Sequence, residues 1–212
     1  NWGKTPQIGE QSFKSTGFTT IEIPSDITSI GTQAFIGCTQ LKEVTYKGTT
    51  NPTCPENVFT TSFEYVDVLI NYESTKFCGK PPRTIDKCGE TKENCEYTYN
   101  HETATLTITG NGAMYAYDDK GAPWYAQYNK MKTINISGIT SIGKYAFSGC
   151  TAFTSITINN VQTINDYAFK KCSSLQQITF PKSLENINFH KVFAGCNKLN
   201  QISIEDGGKY QS

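Results

Sequence analysis

The chain has 212 residues, of which 37% are apolar and 18% are charged, a profile typical of β-rich proteins with many turns. Lysine and arginine number 19, and aspartate and glutamate also number 19, so the net charge is zero. This balance argues against nucleic acid or an anionic membrane as the main partner. No apolar run approaches the roughly 20 residues of a membrane-spanning helix, so we predict no membrane span in this fragment. Because the sequence starts at Asn1 without a signal peptide, we expect it to be a piece of a longer protein.

One motif recurs along the chain. It is clearest at 29–46, 141–158 and 163–180, where an isoleucine precedes a phenylalanine by five residues and a cysteine by eight. A weaker copy begins at Ile8, and a last copy with a small insertion begins at Ile187. Neighbouring regular copies are 22 residues apart, and a period of about 20–29 residues is the signature of a leucine-rich-repeat solenoid.

Each copy predicts the same local structure: a short helical turn around the phenylalanine, followed by a strand in which apolar and polar residues alternate. One such unit cannot bury its own apolar face, so the units must stack, with equivalent residues about 4.8 Å apart. We therefore predict a core spine of stacked phenylalanines, formed by Phe13 and Phe35 in the first copies and by Phe147, Phe169 and Phe193 in the later ones.

The stretch FTTIEIPSDITSIGTQAFIGCTQL (18–41) resembles the repeat unit of the BspA-like leucine-rich repeat family. The resemblance is strong over residues 8–46 and 134–204. Residues 51–82 resemble the closing unit of such an array, and residues 95–125 resemble the cap that precedes one. The resemblance implies a cell-surface or secreted protein with a role in adhesion or recognition, with no enzymatic activity and no cofactor.

These observations predict a β-rich α/β fold: a leucine-rich-repeat solenoid of about 22-residue units, in two short arrays separated by a closing unit and an N-terminal-type cap. We place the repeats and closing unit at 1–87, the cap segment at 88–133 and the second array at 134–212. The alternative is one continuous solenoid with a long insertion.

The eight cysteines fall into two groups. Cys38, Cys150, Cys172 and Cys196 share one repeat position and are interpreted as small buried apolar residues. Four others lie outside the period, in the closing and capping segments, and suggest two disulfides in an extracellular protein. Of the three possible pairings we favour Cys54 with Cys78 and Cys88 with Cys95. A zinc site is disfavoured because no C-x-x-C spacing occurs.

Other chemistry is sparse. His101 and His190 lie in separate segments and are interpreted as surface or turn residues, so we predict no metal site. No catalytic or phosphate-binding motif is present. Asp118 and Asp119 are interpreted as part of a solvated turn, and Asn135 in the triplet NIS is a candidate N-glycosylation acceptor.

Two surfaces are candidates for binding. One is the aromatic cluster of the cap, in which we expect Trp124 and the neighbouring tyrosines to cover the Phe147 end of the second spine. The members of this cluster are Tyr97, Tyr99, Tyr115, Tyr117, Trp124, Tyr125 and Tyr128. The other is the strand face, where residues flanking the buried isoleucines should point to solvent as a polar ladder; polar residues are also common at such positions without any function. The ladder candidates are Thr20, Glu22, Glu43, Thr45, Ser155, Thr157, Gln177, Thr179, Gln201 and Ser203.

The sequence thus predicts a non-enzymatic surface or secreted module that presents a rigid solenoid face to an extracellular protein or glycan ligand. The first alternative is a structural scaffold or self-associating spacer in a larger assembly. An enzyme is the second alternative, and it would need a pocket of convergent polar groups that the sequence does not indicate.

Overall fold

The fold is a β-solenoid of short strands and hydrogen-bonded turns, which confirms the predicted leucine-rich-repeat architecture. In the described residues the helices are a 3-10 helix, Tyr125–Gln127, and an α-helix, α1, Phe189–Val192, so the label α/β is loose. The chain divides into two compact units, Asn1–Thr84 with Asn100–Glu102 and Ile85–Tyr99 with Thr103–Ser212. The computed structural model describes residues 7–55, 57–59, 63, 65–89 and 94–205.

In the first unit, parallel strands from successive coils pair in register. Strand β1 pairs with β3, while β2, β4, β5 and the start of β6 pair in that order. The strands are β1 (Gln7–Ile8), β2 (Thr20–Ile23), β3 (Ser29–Ile30), β4 (Glu43–Tyr46), β5 (Val66–Val68) and β6 (Pro82–Lys87), of which residues 82–84 belong to this unit.

The core of the first unit is the predicted phenylalanine spine. The Phe13 and Phe35 ring centroids are 5.2 Å apart and nearly parallel, and Phe35 stacks on Phe59 at 5.1 Å. Phe35 is fully buried, while Phe13 at the end of the stack is half-buried. The prediction of stacked rings is therefore confirmed in this unit, and Phe59 continues the spine into the closing segment.

The second unit repeats this arrangement. Strands β8 and β9 pair in parallel; β10, β12 and β14 form one parallel sheet, and β11, β13 and β15 form another. The strands are β7 (Cys95–Asn100, of which 95–99 belong to this unit), β8 (Thr105–Gly110), β9 (Thr133–Ser137), β10 (Ser141–Ile142), β11 (Ser155–Thr157), β12 (Thr163–Ile164), β13 (Gln177–Phe180), β14 (Asn186–Ile187) and β15 (Gln201–Ile204).

The second spine runs through the core of this unit. Phe147 and Phe169, both with no exposed surface, stack at 5.3 Å, and Phe169 stacks on Phe193 at 5.7 Å. At the other end, the Trp124 ring stacks on Phe147 at 5.7 Å. The prediction that Trp124 covers the Phe147 end of the spine is thus confirmed.

The segments around the spine phenylalanines are turns, whereas the sequence predicted short helical turns. Two residues after each of the five predicted spine phenylalanines the backbone enters the left-handed region, which stops helix propagation. These positions are Ser15, Gly37, Gly149, Lys171 and Gly195, with φ between 56° and 81°. The last coil is longer by a small insertion and forms α1, whose first turn is capped by the Asn188 side chain accepting from the Lys191 N–H at 3.3 Å.

Candidate functional site

The strand face of the second unit carries a polar ladder in register. Across β11, β13 and β15, Ser155 aligns with Gln177 and Gln201, and Thr157 aligns with Thr179 and Ser203. These six side chains are exposed or half-buried, whereas the intervening Ile156 and Ile178 are buried in the core. The Thr179 and Ser203 hydroxyls are 3.0 Å apart. The structure therefore brings together the ladder residues predicted for this part of the chain, as a surface that a ligand can reach.

The first unit has its own, shorter ladder. Thr20 aligns with Glu43, and Glu22 aligns with Thr45, across β2 and β4. Glu22 also forms a surface ion pair with Lys47, at 3.3 Å, and such exposed pairs contribute at most about 1 kcal/mol to stability. This ladder contains two carboxylates, of which Glu22 is paired with Lys47, whereas the ladder of the second unit contains no charged residue.

A slit that sequence reasoning missed opens on the strand face of the second unit, between β9 and β11. It encloses about 380 Å³ and is lined by polar side chains above a buried isoleucine floor. The polar side chains are those of Lys132, Thr133, Asn135, Ser137, Ser155, Thr157 and Asn159. Asn135 is exposed on β9, which is compatible with modification, and its glycosylation stays a prediction.

One sequence signal accompanies the slit. Phe153 precedes β11 at the position where β4, β13 and β15 are preceded by Leu41, Leu175 and Leu199, and where β2 is preceded by Phe18. Phe153 is almost completely buried, as is Met131, which stands at the same position before β9. Phe153 and Met131 are therefore buried directly before the two strands, β11 and β9, that separate.

The aromatic cluster of the cap serves mainly to close the core. Trp124 has no exposed surface, and its indole N–H donates to the Ala146 carbonyl at 2.8 Å. The Tyr97 and Tyr117 rings pack edge-on against it at 5.2 and 5.7 Å. Burial raises the pKa of both tyrosines and brings that of Tyr99 to about 12. These side chains are therefore core components, as the capping interpretation requires.

The cysteines outside the repeats form two disulfides in the structure. Cys54 bonds to Cys78 in the first unit, and Cys88 bonds to Cys95 in the second. This pairing is the one favoured from the sequence.

The repeat cysteines are buried thiols. The Cys172 thiol donates to the Phe147 carbonyl at 3.1 Å, and the Cys196 thiol donates to the Phe169 carbonyl at 2.9 Å, each across to the preceding coil. Burial raises the pKa of Cys150 to about 12. Since the thiolate is the reactive form of cysteine, this thiol is unsuited to nucleophilic chemistry.

The two histidines play different structural roles. His101 lies in a turn, in agreement with its interpretation as a surface or turn residue, and its side chain is buried, with 7% exposed. The Thr84 hydroxyl donates to the Val68 carbonyl at 2.9 Å and lies 3.0 Å from His101 Nε2, which therefore donates to it. This bond and the edge of the Tyr72 ring, at 5.8 Å, hold the imidazole inside. His190 is exposed in α1.

The remaining candidates for chemistry have structural partners. Asp119 accepts from the Lys170 ammonium at 3.0 Å and the Ser148 hydroxyl at 2.8 Å. The bond from Lys170, followed by that from Ser148, lowers the pKa of the Asp119 carboxyl. Within the described ranges, no group of three or more His, Cys, Asp or Glu side chains is arranged to hold a metal ion, and no helix is long and apolar enough to cross a membrane.

Comparison with known families gives a match over most of the chain. A family model described as BspA type leucine-rich repeat region matches residues 5–79 and 122–211, in six copies. A comparison with curated proteins gives no match. The two matched ranges include both phenylalanine spines and both polar ladders.

Solved structures with some likeness to the chain are bacterial. A leucine-rich repeat protein from Eubacterium ventriosum is 20% identical over 58% of this chain, with a TM-score of 0.39, and the chain spans 44% of that protein. A leucine-rich cell surface protein from Faecalibacterium prausnitzii is 16% identical over 95% of this chain and 83% of its own, with a TM-score of 0.35. The pneumococcal vaccine antigen PcpA is 18% identical, with coverages of 93% and 53% and a TM-score of 0.35.

Proposed function

The chain belongs to the family of BspA-type leucine-rich repeat proteins, and from this premise we propose that it is a non-enzymatic recognition or adhesion module. It acts outside the cytosol, at a cell surface or in secreted form, by presenting the strand face of its solenoid to an extracellular protein or glycan.

The observation that carries this proposal is the register of the polar ladder on β11, β13 and β15. Parallel pairing holds Ser155, Gln177 and Gln201 in one row and Thr157, Thr179 and Ser203 in another. The buried Ile156 and Ile178 fix β11 and β13 to the core, and β15 is hydrogen-bonded in register to β13, so the ladder side chains start from an ordered backbone. A preorganised surface loses little conformational entropy on binding, which favours affinity.

Redox chemistry supports the proposed location. The disulfides Cys54–Cys78 and Cys88–Cys95 are typical of proteins in an oxidising environment. The repeat thiols are shielded by burial, so they are compatible with such an environment. Both points support an extracellular or surface site of action.

A recognition role also agrees with the contacts of the reactive side chains. The buried imidazole of His101 and the buried thiol of Cys172 each form a hydrogen bond within the fold. Asp119 is paired with Lys170. These groups therefore stabilise the solenoid, and the face left for a partner is the polar ladder.

The test is capture of immobilised extracellular matrix proteins and glycans by the purified chain. We expect specific binding to at least one of them. Gln177→Arg with Thr179→Arg should reduce binding by about tenfold or more, because two long side chains on the central strand β13 block both rows of the ladder. Ser173→Arg is the matched control, since Ser173 is exposed in the turn before β13. Capture that both variants retain in full, or no capture at all, would refute the proposal.

A structural role through self-association is the second candidate, and one observation favours it. Ile202 on β15 is 48% exposed, although its register partner Ile178 is 1% exposed. An isoleucine that is exposed on the core side of the last strand can join copies of the chain. Analytical ultracentrifugation distinguishes the two roles. A concentration-dependent oligomer that dissociates in the Ile202→Lys variant supports the scaffold role.

A further inference from the structure

The slit between β9 and β11 interrupts the regular hydrogen bonding of the strand face. At the start of β13, the N–H groups of Gln176 and Gln177 both donate to the Thr154 carbonyl of the preceding coil. At the start of β15, Asn200 and Gln201 both donate to the Gln176 carbonyl in the same way. On this face, the repeated rule is therefore that two successive N–H groups donate to the same carbonyl oxygen of the preceding coil.

The rule fails at the start of β11. By the 22-residue period, the N–H groups of Thr154 and Ser155 should donate to the Lys132 carbonyl, and these bonds do not form between these described residues. The two strands remain joined farther along by a single parallel bridge between Ile136 and Ile158. The slit is therefore closed at one end and open at the other, where, by the same repeat, we expect the Thr154 and Ser155 N–H groups to point toward β9.

The charge around the slit favours a negatively charged oxygen. Lys132 is the cation among the lining residues, all of which are described, and none of them is acidic. The Ser155 and Thr157 hydroxyls, both exposed, add donors beside the two N–H groups. Hydrogen bonds to a charged acceptor are stronger than those to a neutral one, so a carboxylate suits this end of the slit.

The rest of the slit suits a sugar ring. Its volume of about 380 Å³ lies at the lower end of the roughly 300–1,000 Å³ found for small-molecule sites and exceeds what a carboxylate group alone would fill. The other polar groups are the amides of Asn135 and Asn159 and the hydroxyls of Thr133 and Ser137, which match the hydroxyl groups of a sugar. A continuous peptide strand is disfavoured, because the bridge between Ile136 and Ile158 blocks passage along the slit.

We propose that the slit between β9 and β11 binds the carboxylate-bearing ring of an acidic sugar, with the Thr154 and Ser155 N–H groups, the Ser155 hydroxyl and the Lys132 ammonium on the carboxylate. This inference rests on the proposed recognition function and specifies one subsite and ligand class for it. The slit opens on the same face as the ladder, so further sugars of a chain can extend over Gln177 and Thr179.

The test is a titration of the ¹⁵N-labelled chain, produced in bacteria so that Asn135 carries no N-glycan, with methyl α-N-acetylneuraminate. Methyl β-galactoside and sodium acetate are the neutral-sugar and bare-carboxylate probes. We expect saturable shifts of the Thr154 and Ser155 amide resonances with the acidic sugar and an affinity at least about tenfold lower for the other two probes.

Two variants test the slit itself. Ser155→Ala should weaken binding several-fold, because a hydrogen bond to the carboxylate is lost. Ser173→Ala, which makes the same chemical change in the exposed turn before β13, should bind like the unaltered chain. Phe153→Leu keeps every polar lining group but restores the leucine of the other coils, and it should weaken binding by closing the slit.

Several results would overturn the inference: no saturable shifts with the acidic sugar, equal affinity for acetate, tighter binding of an extended acidic tetrapeptide, or unchanged binding by Phe153→Leu. The capture assay with Gln177→Arg and Thr179→Arg shows whether only the acidic-sugar inference has failed or whether the recognition function has failed as well. Ladder-dependent capture without acidic-sugar binding leaves the recognition function standing and removes only the subsite.

Discussion

Replacing Phe169 by alanine tests whether the stacked rings hold the second unit together. Phe169 has no exposed surface and stacks on both neighbours, Phe147 at 5.3 Å and Phe193 at 5.7 Å. Removing a fully buried phenylalanine ring costs about 3–5 kcal/mol, from lost transfer free energy and from the cavity that remains. At about 2–4 °C per kcal/mol for a chain of this size, the melting temperature should fall by roughly 6–20 °C.

The assay is urea unfolding followed by far-UV circular dichroism, with thermal melting as a second measure. Phe169→Leu is the first control, because a swap that nearly conserves volume should cost less than about 1.5 kcal/mol. Phe193→Ala is the second: its ring ends the stack and is half-buried, so its loss should cost clearly less than that of Phe169. A cost below about 1 kcal/mol for Phe169→Ala, or an equal cost at Phe193, would refute the view that a continuous buried stack determines stability.

Three further predictions concern the cysteines, the tyrosines and the division of the chain. Peptide mapping of the unreduced protein should recover the two disulfides of the structure, and the four repeat thiols should react with iodoacetamide only after unfolding; rapid labelling of the native protein would contradict their burial. The folded-state pKa of Tyr99, about 12, lies above its ordinary value near 10, so its stabilisation is complete below pH 10 and is lost as the pH rises towards 12. The urea midpoint should therefore fall between pH 9 and pH 11.5, and a flat profile would count against tyrosine burial. The fragment 88–212 should unfold cooperatively by itself, whereas deletion of 88–132 should cause aggregation by exposing the end that Trp124 covers; an unfolded 88–212 fragment would favour one continuous solenoid.

The 22-residue period predicted the spine and the strand faces because it encodes both directly. A phenylalanine that recurs once per coil must stack on its counterpart, as Phe147 and Phe169 do. Alternation around a buried isoleucine likewise places Ser155 and Thr157 on the outer surface. Features that repeat with the coil could therefore be derived from the sequence alone.

Features that depend on local volume could not be derived from the period. The spacing from Thr133 to Ser155 is the regular 22 residues, so the length of the repeat gives no sign that β9 and β11 separate. The burial of His101 was likewise hidden, because its turn is polar in sequence and the partners Thr84 and Tyr72 lie 17 and 29 residues away. Such contacts depend on side-chain shape in three dimensions.

The glycine–cysteine pair that ends the turn in most coils has a consequence for how such chains change in length. The same pair occurs at Gly37–Cys38, Gly149–Cys150 and Gly195–Cys196. Excision of residues 150–171 would join Gly149 to Cys172 and recreate it, while every remaining coil keeps an equivalent neighbour. Recombination at these junctions therefore shortens or extends the array in whole coils. Each event changes the reach of the strand face by one strand spacing, about 4.8 Å, and leaves its surface chemistry on either side of the junction intact.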